Sequence, residues 1–310
     1  MNILYICNDD SKPWQKAVHR HIPEAEFLVW GEDAVDPQDV DYVLAWKPQA
    51  GVLATFTKAK AIFVLGAGVD ALLQDPTLPT HMPIVRLVDP RLSSGMTEYI
   101  VHWVLHFHRS MHVYARQQTA RQWVQHENTD PAKRRIGFLG LGELGQDAAH
   151  AVLMLGFENI AGWTRTPKDL PGIESFVGVQ SLDAFLARTD ILVCLLPHTK
   201  DTQGLLNAAT LAKLPQGAFV INAGRGSLVV EADMIESLNS GHIEAAAFDV
   251  FTPEPLSQDH PYWIMDNVFV TPHIASLTTA DSATQVVAKG IQDIADGHFP
   301  DNVVDLKNGY

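Results

Sequence analysis

The chain has 310 residues, a length that favours two domains over one. Hydrophobic residues make up 46% of the chain and charged residues 19%, which is a globular rather than a disordered composition. The 22 basic and 36 acidic side chains leave a formal net charge of −14. This charge argues against non-specific binding to nucleic acid or to an anionic membrane surface. A bound anion would therefore need a local basic site.

The cysteines and the N-terminus favour a reducing compartment. Cys7 and Cys194 lie in apolar stretches, so we expect buried strand residues rather than a disulfide framework. The first ten residues, MNILYICNDD, lack a basic region and become acidic at once, unlike a signal peptide. The apolar runs are shorter than the roughly 18–20 residues that a membrane helix needs. We therefore expect a cytoplasmic protein without a membrane partner.

The first third of the chain alternates short apolar runs with longer polar or helix-like segments. Continuous apolar runs are typical of parallel strands that are covered on both faces. We predict strands at residues 2–7, 25–30, 41–46, 61–66 and 84–88. Residues 90–95 (PRLSSG) are predicted to form a loop, and Ser94 or Thr97 could cap a single long helix over residues 96–118.

Residues 123–131 are predicted to be an exposed connection, and a second alternating series begins at Arg135. Its predicted strands cover residues 135–140, 159–163, 174–179, 190–197, 217–223, 245–251 and 268–272. Its predicted helices cover residues 143–155, 181–186, 207–214 and 231–240, and a last helix covers residues 278–297. The simplest account is two α/β units joined near residue 97. Whether the last helix returns to the first unit stays open on periodicity alone.

A glycine-rich turn follows the first strand of the second series. Residues 140–145 read GLGELG, a G-x-G-x-x-G run between an apolar strand and a helix. Gly140 would allow the tight turn, Gly142 would let a pyrophosphate approach the backbone, and Gly145 would let the helix pack closely. The side chain of Glu143 is given no role. The context favours dinucleotide binding over a merely structural turn.

The stretch IAGWTRTP (160–167) lies where the reader of the cofactor's ribose is expected, about 20 residues beyond the glycine turn. An acidic residue there would bind the 2′-hydroxyl of NAD, but residues 162–166 contain none. Arg165 offers a planar fork for a 2′-phosphate, while Thr164 and Thr166 offer hydroxyls and Lys168 a second cation. The pattern predicts a preference for NADPH. The alternative is a solvated loop with ordinary surface charge.

Three further stretches follow apolar strands, at the edge where open α/β sheets bind ligands. They are INAGRGSLV with Arg225, FDVFTPEPL with Glu254, and VTPHIAS with His273. The small neighbours of Arg225 would leave room for a ligand at the backbone. The trio suits carbonyl reduction: a protonated histidine supplies the proton, a carboxylate orients it, and an arginine pairs with a substrate carboxylate. The alternative is three unrelated surface residues.

Together these motifs resemble the D-isomer-specific 2-hydroxyacid dehydrogenases over nearly the whole chain. The resemblance is carried, in order, by GFLGLGELG, LLPHTKDT, NAGRGSLV, AFDVFTPEPL and TPHIAS. AWKP, FVLGAGVD and MTEYIVHWVLHFHR look most like the bacterial type A branch of glyoxylate/hydroxypyruvate reductases. The family fold implies two doubly wound parallel-sheet domains with a cleft between them. One is a flavodoxin-like substrate domain, discontinuous over residues 1–97 and 282–310, and the other is an NAD(P)-binding Rossmann domain over residues 98–281.

The resemblance also implies roles for individual residues. Arg225, Glu254 and His273 would be the catalytic trio, and Asp249 would contact the nicotinamide carboxamide. Other cofactor contacts are expected at Gly140, Gly142, Glu143, Leu144, Gly145, Trp163, Thr164, Arg165, Thr166, Leu196, Pro197, His198, Ala223, Gly224 and Ala275, and also at Arg225 and His273. Backbone N–H groups of Ala67 and Gly68 would hold the substrate carboxylate, together with Arg225 and His273. Trp46 would line the substrate pocket, unless it only packs at a strand end.

The favoured function is an NADPH-preferring reductase of small 2-oxo acids, such as glyoxylate and hydroxypyruvate, with NADH as a weaker cofactor. Two alternatives stay open: a non-catalytic NAD(P)-sensing binding protein, and an enzyme similar to D-3-phosphoglycerate dehydrogenase. The family also implies a homodimer through the second domain and the long helix. No metal is expected. His102, His106, His108 and His112 share one predicted helix at metal-compatible spacings, but no cysteine or acidic set joins them.

Overall fold

The computed structural model of the protein describes residues 1–306. The chain divides into two compact units. The first comprises Met1–Leu92 and the chain from Leu277 onward, and the second comprises Ser93–Ser276. The sequence-based divisions at 97/98 and 281/282 fall close to these limits, and the last four positions of the range 282–310 lie outside the described residues.

The first unit is built on a parallel sheet of short, buried strands. Its elements before the division are β1 (Asn2–Ile6), α1 (Ser11–His21), β2 (Glu26–Val29), β3 (Tyr42–Ala45), β4 (Ala61–Val64), α2 (Asp70–Leu73) and β5 (Ile84–Arg86). Within residues 1–306 the five strands pair in the order β2-β1-β3-β4-β5. Every residue of β3 and β4 is buried, as expected for strands covered on both faces. All five strand predictions are confirmed, with ends trimmed by one or two residues.

The long helix starts earlier and ends sooner than the sequence predicts. Helix α3 spans Pro90–His108, so the loop predicted for residues 90–95 is wrong. The buried carboxylate of Asp89 accepts a hydrogen bond from the N–H of Arg91 at 2.9 Å, and a proline takes the first position. The Asp-Pro start stabilises the first turn of the helix more than the Ser-Ser-Gly residues that follow destabilise it. Ser110 then adopts a left-handed backbone (φ +54°), and a separate helix α4 (Met111–Thr119) follows.

The second unit contains a larger parallel sheet. Its remaining elements are β6 (Arg135–Leu139), α5 (Glu143–Met154), β7 (Asn159–Thr164), β8 (Ile173–Val177), α6 (Leu182–Ala187), β9 (Ile191–Cys194), α7 (Ala208–Leu211), β10 (Ala218–Asn222), α8 (Glu231–Asn239), β11 (Ile243–Phe248) and β12 (Val268–Val270). Within the described residues the strand order is β12-β11-β10-β9-β6-β7-β8. From β6 the chain adds β7 and β8 on one side, and it then adds β9 to β12 on the other side of β6. Doubly wound sheets bind ligands at such a switch point. The predicted α/β fold class is confirmed.

The last helix, α9 (Ala280–Ala295), completes the first unit. Ala283, Val287 and Ile291 on one face of α9 join the core formed by β1, β3 and β4. A Cβ added at Gly290 would lie 2.7 Å from the ring of Phe63, so this helix approaches the sheet closely only because glycine stands there. No helix within residues 1–306 is long and apolar enough to cross a membrane.

Candidate active site

The three glycines of the turn after β6 are in three different steric situations. Gly140 has φ +100°, a conformation that favours glycine. A Cβ at Gly145 would lie 2.2 Å from the carbonyl oxygen of Gly140, so α5 could not pack on the turn with a larger residue. A Cβ at Gly142 would meet nothing within 4 Å. Packing therefore does not require Gly142, which leaves the N-terminus of α5 open to a ligand. This cradle fits the pyrophosphate of a dinucleotide.

The loop after β7 carries the residues predicted to read the ribose. Arg165 and Thr166 are exposed. The hydroxyl of Thr164 is buried and donates to the carbonyl of Thr166 at 2.7 Å. The indole N–H of Trp163 donates to the carbonyl of Gly178 at 2.8 Å. The donors of Trp163 and Thr164 are thus used within the protein, where they fix the loop. The surface that this loop offers to a ligand is that of Arg165 and Thr166.

The predicted catalytic trio follows three neighbouring strands. Arg225 comes after β10, Glu254 after β11 and His273 after β12, and these strands are adjacent in the order β12-β11-β10. Because the strands are parallel, their carboxyl ends lie at one edge of the sheet, which is also the edge of the glycine turn after β6. Residues separated by up to 48 positions in sequence are brought to one edge in this way.

His273 and Glu254 form a direct pair. Nδ1 of His273 lies 2.9 Å from Oε2 of Glu254, whose Oε1 accepts the backbone N–H of Phe251 at 3.1 Å. A carboxylate only accepts hydrogen bonds, so Nδ1 carries the hydrogen of this contact in either charge state. Nε2 is then the ring nitrogen that can exchange a proton with a substrate. The His273 side chain is 39% exposed, which leaves it accessible from solvent.

The turn that carries Arg225 is held by a residue that the sequence reasoning did not single out. Asn222, fully buried at the end of β10, donates from Nδ2 to the carbonyl of Arg225 at 3.0 Å. Its Oδ1 accepts the N–H of Gly224 at 3.1 Å. An asparagine that closes a turn through its own side chain is a common device, so its position two residues before a glycine was the available signal.

The explanation given for the glycines beside Arg225 is wrong. A Cβ at Gly224 would lie 2.7 Å from the carbonyl oxygen of Leu196, and one at Gly226 would lie 2.1 Å from the backbone carbon of Phe251. These glycines are needed because neighbouring loops pack on them, not because they leave space for a ligand. The same packing places the Arg225 turn against Phe251, whose N–H holds Glu254.

Asp249 holds the loop that carries His273. Its side chain is 1% exposed, Oδ1 accepts the N–H of Ile274 and Oδ2 accepts the N–H of Ala275, both at 2.8 Å. Its carbonyl oxygen accepts the N–H of His273, also at 2.8 Å. His273 itself has φ +55°, which is unfavourable for a residue with a side chain. Asp249 therefore stabilises an unusual loop geometry, a role that the sequence did not reveal.

Other expected cofactor residues lie in the loops after β9 and β10. Leu196, Ala223 and Ala275 have buried side chains, so their backbones are the groups that could reach a ligand. His198 Nδ1 lies 2.8 Å from the hydroxyl of Ser227, which links the two loops. The hydroxyl of Thr202 donates to the carbonyl of Pro197 at 2.7 Å and holds the first loop.

The expected substrate residues of the first unit lie at the carboxyl ends of β3 and β4. Trp46 follows β3, and a Cβ at Gly66 would lie 2.4 Å from its ring. Ala67 and Gly68 come next, in the turn before α2. Their backbone N–H groups make no hydrogen bond to another residue of the described chain. Trp46 thus packs on the same turn that offers these two donors.

His106, His108 and His112 of α3 and α4 pack against aromatic rings in the core of the second unit, whereas His102 is exposed. The His106 ring lies 4.8 Å from that of Phe269 and 6.1 Å from that of His112, between ring centroids. His112 is 2% exposed and packs on Phe219. Burial lowers the pKa of His106 to about 4. These rings fill space between the helices and the sheet.

The sequence is similar to those of known proteins. Residues 101–275 match the family described as D-isomer specific 2-hydroxyacid dehydrogenase, NAD binding domain. Over the full length of both chains, the sequence is 39% identical to glyoxylate/hydroxypyruvate reductase A of Yersinia enterocolitica and 36% identical to the enzyme of that name from Serratia proteamaculans.

Solved structures agree over the whole chain. One is a D-isomer specific 2-hydroxyacid dehydrogenase from Xanthobacter autotrophicus Py2 in complex with NADPH and MES, with a TM-score of 0.95, 40% identity and coverage of 100% of this chain and 99% of the other. Another is an NADPH-dependent glyoxylate/hydroxypyruvate reductase from Sinorhizobium meliloti in complex with NADP and sulfate, with a TM-score of 0.93, 35% identity and the same coverage.

Proposed function

The chain belongs to the D-isomer specific 2-hydroxyacid dehydrogenase family, and from this we propose that it is an NADPH-preferring reductase of small 2-oxo acids. The favoured substrates are glyoxylate, which becomes glycolate, and hydroxypyruvate, which becomes D-glycerate. The observation that carries the proposal is the His273–Glu254 pair, with Nε2 left for proton transfer, at the sheet edge that also bears the dinucleotide cradle. The names of the similar enzymes, and the NADPH and NADP in the similar structures, support the substrate and cofactor.

The chain's own residues supply acid catalysis and charge stabilisation. When bound, NADPH would supply the hydride that the carbonyl carbon of the 2-oxo acid receives. As negative charge grows on the carbonyl oxygen, protonated His273 donates the Nε2 proton to it, which completes the hydroxyl group. Glu254 accepts the hydrogen of Nδ1 and holds the orientation of the ring. Arg225 pairs with the substrate carboxylate and orients the carbonyl.

The first unit offers its own candidate donors for a carboxylate. The N–H groups of Ala67 and Gly68 are at the carboxyl end of β4 and have no partner among the described residues, which supports the assignment. Two adjacent backbone donors are suited to a carboxylate. Trp46, packed on that turn, would limit the size of the substrate side chain.

The preference for NADPH rests on the loop after β7. Exposed Arg165 and Thr166, with Lys168 close by in sequence, give a 2′-phosphate cationic and hydroxyl partners. The absence of an acid from residues 162–166 removes the usual partner of an unphosphorylated ribose. We expect NADH to bind more weakly for both reasons.

A turnover assay tests the proposal. The purified protein is mixed with NADPH or NADH and a panel of 2-oxo acids, and the absorbance of the reduced nicotinamide is followed. We expect the highest kcat/KM with NADPH and glyoxylate or hydroxypyruvate. NADPH binding without turnover on any member would favour the NAD(P)-sensing alternative. Preferential oxidation of D-3-phosphoglycerate would favour the phosphoglycerate dehydrogenase alternative.

We also propose a cytoplasmic homodimer. Residues 121–130 are all exposed, and Trp123 within them is 93% exposed. A large aromatic side chain so exposed on an irregular segment is typical of a contact with a second protein surface. The two cysteines are unpaired thiols, which suits a reducing compartment.

A further inference from the structure

We propose that Tyr99 and Thr271 are positioning residues that hold the His273 loop through Asp249. This inference rests on the proposed function, because it concerns the geometry of the proposed acid. Tyr99 lies on α3, Thr271 directly follows β12, and Asp249 directly follows β11, so three separate elements of the second unit contribute. Tyr99 lies in the stretch MTEYIVHWVLHFHR, and the sequence predicted no chemical role for it.

The contacts form a continuous chain of hydrogen bonds. The hydroxyl oxygens of Tyr99 and Thr271 are 2.8 Å apart, and Thr271 donates to Oδ1 of Asp249 at 2.6 Å. Oδ1 also accepts the N–H of Ile274, and Oδ2 accepts the N–H of Ala275. The carboxylate of Asp249 thus joins the Tyr99–Thr271 pair to the backbone on the carboxyl side of His273.

The Asp249 carboxylate determines which group donates and which accepts in each of these hydrogen bonds. An ionised carboxylate has no hydrogen to give, so the Thr271 hydroxyl donates to Asp249 and its oxygen is left to accept from Tyr99. Tyr99 can serve as a donor over the working pH range because burial raises the pKa of its phenol to about 12. Aligned bonds of this kind polarise one another, so the loss of the first weakens the second.

The loop needs such support because its backbone is unfavourable. His273 has φ +55°, and non-glycine residues adopt this region at a cost on the order of 1 kcal/mol or more. The Asp249 carbonyl holds the N–H of His273, and the Asp249 carboxylate holds the next two N–H groups. If that carboxylate could rotate, the imidazole would lose its fixed position relative to Glu254. Tyr99 and Thr271 restrict that rotation through the hydrogen bond from the Thr271 hydroxyl to Oδ1.

Four single variants test the assignment. Tyr99→Phe removes one neutral hydrogen bond, and we expect kcat to fall about 3- to 10-fold. Thr271→Val removes the bond to the charged carboxylate, and we expect a fall of about 10- to 100-fold. Thr271→Ser keeps the hydroxyl and should restore most of the activity. Tyr262→Phe is the matched control, because the Tyr262 hydroxyl is also buried in this unit but has no hydrogen-bond partner within residues 1–306.

The double variant separates positioning through Thr271 from an independent role of Tyr99. If Tyr99 acts through Thr271, then Tyr99→Phe combined with Thr271→Val should have the kcat of Thr271→Val alone. Multiplied effects would show that Tyr99 acts by another route and would overturn the proposed chain. The KM for the 2-oxo acid should change less than kcat, since the network orients the His273 imidazole and does not touch the substrate.

Hydrogen–deuterium exchange of a peptide covering residues 271–277 provides a measurement that needs no turnover. We expect faster exchange in Tyr99→Phe and Thr271→Val, and wild-type exchange in Thr271→Ser and Tyr262→Phe. Unchanged exchange in Tyr99→Phe, or faster exchange with unchanged kcat, would overturn the positioning role. A wild-type protein inactive on every 2-oxo acid would refute the proposed function, and the exchange data would still decide whether the network holds the loop.

Discussion

His273 depends on contacts that hold it from several sides. Glu254 fixes one ring nitrogen, and Asp249 fixes the backbone on either side of the imidazole. At the residue scale, the chemistry therefore lies in a few polar contacts, and the surrounding packing only makes those contacts possible. Substitutions that remove a single polar group are the sharpest tests here, because they leave the packing unchanged.

His273→Ala should lower kcat at least ~100-fold, because it removes the group proposed to protonate the carbonyl oxygen. The side chain is 39% exposed, so the melting temperature should change little. The measurements are steady-state kinetics with glyoxylate and a titration of NADPH binding, and the dissociation constant for NADPH should change far less than kcat. Near-normal turnover would remove His273 from the acid–base role.

Arg165→Ala should raise the KM for NADPH by about 5- to 150-fold, equivalent to about 1–3 kcal/mol for a charge-assisted contact, and leave the KM for NADH nearly unchanged. Lys213→Ala is a suitable control, since it removes an equal charge from an exposed side chain of the same unit that pairs with Asp183. Equal effects of Arg165→Ala on both cofactors would show that the arginine does not read the 2′-phosphate.

At the scale of elements, the junction of β6 and α5 separates stability from ligand binding within one turn. Gly142→Ala meets no protein atom within 4 Å, whereas Gly145→Ala places a Cβ 2.2 Å from a carbonyl oxygen. We expect Gly142→Ala to weaken NADPH binding about 10-fold or more with a loss of stability below about 1 kcal/mol. Gly145→Ala should lower the melting temperature clearly. Scanning calorimetry and NADPH titration measure the two effects, and tight NADPH binding by Gly142→Ala would argue against a pyrophosphate there.

Histidines of α3 and α4 that pack against the core give the second unit a stability that depends on pH. Burial lowers the pKa of His106 to about 4, and the rings of His102 and His112 lie close to it, with Arg116 and Glu244 beside His112. The unfolded chain takes up a proton at this position near pH 6.5, while the folded chain does so only near pH 4. The contribution is therefore complete above pH about 6.5 and is lost as the pH falls toward 4.

His106→Phe should remove that part of the pH dependence. Between pH 7.5 and 5, the wild type should lose about 1–2 kcal/mol more of its free energy of unfolding than the variant, or on the order of 2–8 °C in melting temperature. The His106 Nε2 atom has no hydrogen-bond partner within residues 1–306, so the phenyl ring gives up no such bond. Melting curves at both pH values provide the measurement, and parallel losses in the two proteins would contradict the prediction.

At the scale of the whole molecule, the proposed homodimer can be tested through the exposed Trp123. Trp123→Ser should weaken the dimer, because it removes a large apolar side chain that is 93% exposed on the single chain. Phe299→Ser is the matched control, being 82% exposed in the first unit. Sedimentation velocity over a range of concentrations measures the dissociation constant. A monomeric wild type would refute the dimer, and equal effects of the two variants would remove Trp123 from the interface.

The sequence by itself determined the order of elements and the chemistry available at the sheet edge. Apolar runs marked strands within one or two residues at most ends, because buried parallel strands need continuous hydrophobic sequence. The G-x-G-x-x-G run and the motifs with Arg225, Glu254 and His273 carried the family resemblance. The start of α3 was predicted wrongly. The Ser-Ser-Gly residues suggested a loop, although Asp89 and Pro90 before them start the helix.

Only the tertiary structure decided what holds those residues in place. Asn222, Asp249 and Thr271 act through partners on other loops, and such contacts have no period in the sequence. The glycines beside Arg225 looked like space for a ligand, but backbone atoms of neighbouring loops fill that space. The reason is physical: strand and helix propensities depend on near neighbours in sequence, whereas the geometry of a site depends on which chain segments pack together.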